Sequence, residues 1–200
     1  MNGYEKRTQE KKNQVLEAAF ALMNQDTGVE NLTLDEIAKN AKVGKTSIFK
    51  YFGSKENLIH EVFKYFLDKI GKTAREIIAE NRPFEETLIA LSQNKIHYLN
   101  KVNKRFYLDL MDFYTKKGDD NLSLIMQQYT RESYSMMLDL FYRGRKEGKV
   151  DLKYSDEFLL IYFQAIVEGI SSPHIYQKIL PYTAQWTELL IKGIAPNKSW

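Results

Sequence analysis

The 200-residue chain reads as all-α, about nine helices in two parts: residues 1–53, a small N-terminal three-helix module, and residues 54–200, a larger helical domain. Three observations predict this. Apolar residues recur three or four apart, as in Leu58, Val62, Phe66 and Ile70, the stripe that a helix buries. Helix-start signals stand before such stripes: Thr33 with Glu36 three residues on, Ser54, and Pro83 followed by Glu85 and Glu86. Stop signals stand after them, with Gly28 behind the first helix and Gly144 and Gly148 among the basic residues that close the seventh. A hydrophobic content of 44% suffices for one sizeable helical core with a small extra module.

Composition then removes several function classes. The chain has no cysteine, which excludes disulfides, thiolate metal sites and cysteine nucleophiles. His60, His97 and His174 lack the spacing of a zinc site, and there is no glycine-rich phosphate loop or serine elbow. Asp109 and Asp112 form a carboxylate pair of the kind any helical chain of this size contains. The expectation is a protein that is not an enzyme and uses no metal or cofactor. The start of the chain is polar, and no apolar run reaches the roughly 18 residues of a membrane span, so the expected location is cytoplasmic. A net charge of +3 is too small to mark the whole chain as a nucleic-acid binder, so the placement of the lysines decides.

Met1–Arg7 reads as a terminal tail, and the first helix as Thr8–Gln25, burying Val15, Ala18, Ala19, Leu22 and Met23. In the stretch 33–52, Thr33 and Glu36 have the spacing of a reciprocal capping box, and Leu34, Ile37, Ala38 and Ala41 continue the stripe. The pattern breaks over Lys42–Gly44. A second short helix follows from Lys45, with Gly44 as its N-cap and Ile48, Phe49 and Phe52 on its inner side. Two short helices joined by such a turn form a helix-turn-helix, whose second helix can enter a DNA major groove. Between Lys42 and Lys55 there are four lysines and no carboxylate, beside the hydroxyls of Thr46, Ser47 and Tyr51. These groups bind phosphate oxygens and base edges, although a solvated lysine face on a helical hairpin has the same charge pattern.

The run from Val15 to Leu58 resembles the N-terminal domain of TetR-family transcriptional regulators. The resemblance is carried by Ala18-Ala19-Phe20, Gly28, Thr33 with Ile37-Ala38, Ala41 with Val43, and the ungapped Tyr51-Phe52-Gly53-Ser54-Lys55-Glu56-Asn57-Leu58. Three positions depart from the family pattern. Lys42 stands where a turn glycine is usual, so a non-glycine residue is expected in a left-handed conformation. Gly44 replaces the usual serine cap, and Phe49 stands where tyrosine is common.

The second part is richer in aromatic residues and methionine. Helices are expected from Pro83, over Lys104–Thr115, after a turn at Lys116–Asp120, from Ser155, and over about Tyr182–Lys192. The helix at Lys104–Thr115 is apolar on nearly every side and should be central. The apolar run 158–163 turns side chains to all sides of its helix, which a single subunit covers poorly; a buried helix is the alternative reading. Pairing of the last two helices with their copies across a twofold axis, through Phe158, Ile161, Tyr162, Ala165, Trp186, Leu189 and Leu190, covers them. The resemblance implies the same dimer.

A dimer would hold two reading helices about one DNA turn apart, on a palindromic operator. Lys45, Thr46, Ser47 and Lys50 are expected at base edges or adjacent phosphates, with Thr33, Tyr51 and Lys55 positioning the backbone and Lys42, Gly44 and Phe49 completing the interface. Methionines and aromatics interleaved with polar groups suit a mostly apolar site. The resemblance implies a small-molecule inducer there, and His97, Tyr107, Met111, Tyr129, Ser133, Met137 and Tyr162 are the candidate contacts. Asp112 and Glu132 would favour a cationic compound. The expected function is a homodimeric, ligand-released repressor of transcription; a ligand-independent DNA-binding regulator and a helical protein-interaction module are the alternatives.

Overall fold

Asn2 opens the first helix, α1 (Gly3–Met23): its side chain accepts the amides of Tyr4 and Glu5, and the Glu5 carboxylate returns to the Asn2 amide. The expected tail is therefore helical from its third residue. The polar turns before Val15 lack a buried stripe, and the capping box supplies the start signal in its place. The computed structural model describes residues 2–115, 120–171, 175 and 178–197. Its described residues form nine α-helices and a short 3₁₀ turn, with no strand among them. After α1 come α2 (Leu34–Ala41), α3 (Lys45–Phe52), α4 (Lys55–Ala79), α5 (Phe84–Leu99), α6 (Lys104–Thr115), α7 (Asp120–Lys146) and α8 (Asp156–Ser171). The 3₁₀ turn Leu180–Tyr182, built on Pro181, then leads into α9 (Thr183–Ile194). Of the expected turn Lys116–Asp120, residues 116–119 lie outside the described residues and Asp120 opens α7.

The chain divides into two compact units, one of Met1–Ile70 with Leu99–Leu122, the other of Gly71–Tyr98 with Ser123–Trp200. In the first, α1 packs on both α2 and α3, and Val15, Ala19, Met23, Ile37, Ile48, Leu58 and Val62 are buried between them and α4. An aromatic cluster extends this core: Phe106 of α6 lies 5.1 Å from Phe20, 5.2 Å from Phe66 and 5.4 Å from Phe63, edge to face in each case. Phe106, Tyr107, Leu110 and Phe113 are all buried, so α6 is central, as its all-round apolar pattern requires.

Polar bonds fix α6 in place. Asn24 accepts the Asn103 amide at 2.7 Å and donates to the Lys101 carbonyl at 2.9 Å, while Asn103 caps α6 by accepting the Phe106 amide. Asp109 accepts the Val29 amide at 2.9 Å and pairs with Arg105 at 2.9 Å. This leaves no room for a side chain at Gly28, which has φ +56°: a Cβ there would stand 2.2 Å from the Asp109 carboxylate. Asp109 is thus a structural anchor for the loop after α1.

The second unit has its own core of Phe84, Leu88, Leu140, Phe141, Val150, Leu159 and Ile194. Gly144 lets α7 approach closely, since a Cβ would stand 2.6 Å from Val150 and 2.8 Å from Phe84. Arg143 donates to the carbonyls of Ile78 and Arg82 and to the side chains of Thr87 and Asn81, fastening the end of α4 and the start of α5.

Candidate functional site

The helix-turn-helix is built by two local devices. Thr33 accepts the Glu36 amide at 3.2 Å, starting α2. The reciprocal half of the expected box does not form, because the Glu36 carboxylate takes the Thr33 hydroxyl at 2.8 Å instead. The helix ends in a Schellman closure: Val43 N–H reaches the Ala38 carbonyl at 3.1 Å and Lys42 N–H that of Lys39 at 3.3 Å. Lys42 holds φ 54°, ψ 40°, so a lysine occupies the left-handed position that glycine usually takes.

Gly44 caps α3 with backbone alone. Successive residues of an α-helix are about 100° apart, so the line Ile48–Phe52 faces inward, Thr46, Ser47 and Lys50 lie on the outer face, and Lys45 and Phe49 stand at its edge. Ile48 is buried and Phe52 half-buried; Lys45, Thr46 and Lys50 are exposed and Ser47 is half-buried. Phe49, expected inside, is 47% exposed, because it lies a quarter-turn from the buried line. Tyr51 and Lys55 are half-buried at the far end, where Gly53 at φ +78° turns the chain into α4. Ser54 caps α4, accepting the Asn57 amide at 3.0 Å. Lys45 meets Asp35 of α2 at 2.9 Å, with both side chains largely in solvent. An exposed pair of this kind is worth about 0–1 kcal/mol, which a phosphate can replace.

The outcome is a short helix whose exposed side carries two lysines, a threonine and a ring, held rigidly from behind by a packed three-helix core. That arrangement defines the helix-turn-helix class of nucleic-acid-binding domain. Residues 15–62 match the family model described as bacterial regulatory proteins, tetR family. A relative is the uncharacterized HTH-type transcriptional regulator YhgD of Bacillus subtilis, 35% identical over 79 residues, which are 40% of this chain and 41% of YhgD. The chain thus spans about two-fifths of the length of the curated relatives it matches. Among solved structures, the fatty acid degradation regulator FadR from Bacillus halodurans superposes with a TM-score of 0.70 at 16% identity, over 90% of this chain and 98% of that one. FadR from Bacillus subtilis in complex with stearoyl-CoA gives 0.68 at 18% identity, over the same shares. These likenesses establish a shared fold.

The candidate ligand contacts are spread over both units. Tyr107 is buried and Met111 half-buried in the first. In the second, Met137 and Tyr162 are half-buried against the core, whereas His97 and Ser133 are exposed. The side chains of Tyr129 and His174 lie outside the described residues. Of the two carboxylates expected to favour a cation, Glu132 pairs with Arg75 at 3.3 Å and Asp112 is exposed on α6.

Most of the proposed association residues are exposed. Phe158, Ile161 and Ala165 of α8 are exposed with Trp186 and Leu189 of α9, at 50%, 60%, 38% and 63% for Phe158, Ile161, Trp186 and Leu189. Tyr162 and Leu190 lie half-buried behind them. Among the described residues no cluster of three or more acidic or histidine side chains could hold a metal, and no helix is long and apolar enough to cross a membrane.

Proposed function

We propose that the chain is a homodimeric transcriptional repressor that binds a palindromic operator and is released by a small, largely hydrophobic ligand. In this reading residues 1–53 bind DNA, and residues 54–200 bind the ligand and form the dimer. The observation that carries it is the exposure of Lys45, Thr46, Phe49 and Lys50 on a helix backed by Ile48, within a segment matching the TetR family.

Dimerisation is supported by the exposed large apolar side chains Phe158 and Ile161 of α8 and Trp186 and Leu189 of α9. Two subunits would present their α3 helices to successive major grooves about 34–36 Å apart. Each good bidentate base contact then discriminates by about 1–3 kcal/mol, and the lysine–phosphate contacts make binding salt-dependent. Release requires a ligand with higher affinity for a state in which the two α3 helices no longer match that spacing, reached by a swing of α4. Because α6 packs with α1–α3 in one unit, a ligand that displaces α6 would move the reading helices with it. An apolar ligand is in keeping with the stearoyl-CoA held by the structurally similar B. subtilis FadR.

Gel-shift with genomic fragments at two salt concentrations tests the DNA-binding reading. A sequence-selective complex that weakens as salt rises is the expected result; its absence would leave a helical interaction module. Compounds found by thermal shift should also dissociate that complex, and failure of all of them would leave a ligand-independent regulator.

A further inference from the structure

From Lys42 to Lys55 there are four lysines, and one of them has an anionic partner. Lys42, Lys50 and Lys55 form no ion pair among the described residues, whereas the Lys45 ammonium lies 2.9 Å from Asp35, the second residue of α2. The pair stands in solvent: the Asp35 side chain is 75% exposed and that of Lys45 47%. The neighbouring Glu36 takes the Thr33 hydroxyl at 2.8 Å. Both carboxylates in the first turn of α2 therefore engage a donor expected at DNA, one a lysine at the edge of the reading helix and the other the N-cap hydroxyl. Acidic residues in a first turn complement the helix dipole whatever else they do. That role asks nothing of Lys45, so the contact across the turn from α2 to α3 is a separate observation.

A lysine paired with a carboxylate presents no net charge to an approaching phosphate. To bind one, Lys45 must leave Asp35, whose carboxylate then recovers a cation from solution. The counterion released from the DNA is offset by the one taken up. A base edge carries no net charge, and the ammonium has three donors, so Lys45 can keep Asp35 and still donate to a single base acceptor. We infer that Asp35 is a specificity-determining residue that acts through Lys45. It weakens sequence-independent attachment to the phosphate backbone, leaves base reading by the same lysine open, and so widens the difference in affinity between operator and bulk DNA. The inference rests on the DNA-binding reading above and adds to it a residue outside the reading helix.

The test measures binding of the full chain, by fluorescence anisotropy, to an operator selected from genomic fragments and to a scrambled duplex of the same length, each at several salt concentrations. Asp35→Asn should bind the scrambled duplex about two- to fivefold more tightly than the wild type at the same salt, the span that an exposed ion pair covers. Operator binding should change less, so the ratio of the two affinities falls. On scrambled DNA the slope of log K against log salt should steepen by about 0.9, one further phosphate. Asp35→Glu returns the charge and should restore the wild-type ratio. In a Lys45→Ala background Asp35→Asn should alter neither the ratio nor the slope, because the route runs through the lysine. Asp35→Ser replaces Asp35→Asn if the latter lacks the wild-type helical circular dichroism. An unchanged slope, an equal gain on both duplexes, or the same gain in the Lys45→Ala background would overturn the assignment. A wild type that selects no operator overturns the DNA-binding reading and this assignment together, whereas an Asp35→Asn chain that matches a selective wild type removes the assignment alone.

Discussion

The exposed face of α3 and the exposed faces of α8 and α9 are opposites in chemistry. On α3 the solvent meets Lys45, Thr46 and Lys50; on α8 and α9 it meets Phe158, Ile161, Trp186 and Leu189. The cores behind them differ as well. The first unit fixes its central helix with directional bonds from Asn24, Asn103 and Asp109, whereas the second closes its core mainly on apolar contact around Phe84, Phe141 and Leu159. A surface of cations and hydroxyls on a rigidly indexed frame suits a partner whose charges are regularly spaced. A surface of rings and aliphatic chains suits one that excludes water. In the proposed reading, DNA contact and pairing fall at different ends of the sequence, and substitutions at one end should leave the fold of the other intact.

The largest expected effect tests that separation at the pairing end. Ile161→Glu combined with Leu189→Glu should yield a monomer in sedimentation and weaken operator binding by about 100-fold or more, because one short helix makes few contacts. The isolated subunit should retain its helical circular dichroism. If the double variant stays dimeric, the apolar surface is not the pairing surface.

Gly28→Ala comes next, since it adds a left-handed alanine and drives its Cβ into Asp109 and Arg105. A loss of about 2–4 kcal/mol in unfolding free energy is expected from strain plus overpacking. Chemical denaturation should show it, and an unchanged midpoint would mean that the α6 anchor is soft. Lys50→Ala should change base preference at defined operator positions by about 1–3 kcal/mol, read by selection from a randomised site. Uniform weakening across all sequences would reassign Lys50 to phosphate.

The smallest effect concerns Lys95 of α5, whose folded-state pKa is drawn by desolvation below the ordinary 10.5. Between that lowered value and 10.5 the unfolded chain binds more protons than the folded one, so stability should rise with pH across the window and level off above it. Melting of the ligand-free chain from pH 7 to pH 11 should show this contribution in the wild type, and Lys95→Met should remove it.

Legibility in the sequence followed the range of the interaction. The starts of α2 and α4 and the Pro83 entry to α5 rest on contacts within a few residues and were readable from spacing, whereas the left-handed Lys42 was expected from the family pattern. The Asn2 capping box was equally local, but the polar turns after it carry no stripe and so read as a tail. Phe49 was placed inside because its type was weighed above its angle from Ile48. The Asp109–Val29 and Asn24–Asn103 bonds join residues about eighty positions apart, and neither partner carries a local mark of the other. The same holds for Lys95, which looks in sequence like any exposed lysine on an amphipathic helix. Of the candidate site, the exposed outer face of α3 was foreseen apart from Phe49, while the candidate ligand contacts were drawn from composition, which does not say which way a side chain turns.

Lys42 has one more implication. An L-residue in the left-handed region gives up about 1 kcal/mol relative to glycine, so the Schellman turn would close more easily with glycine in its place. The chain instead keeps an exposed lysine two residues upstream of Gly44, beside the start of α3. Lys42→Gly should therefore make a sturdier molecule with a weaker grip on the sugar-phosphate rails, so at this corner thermal robustness and retention on the chromosome vary inversely.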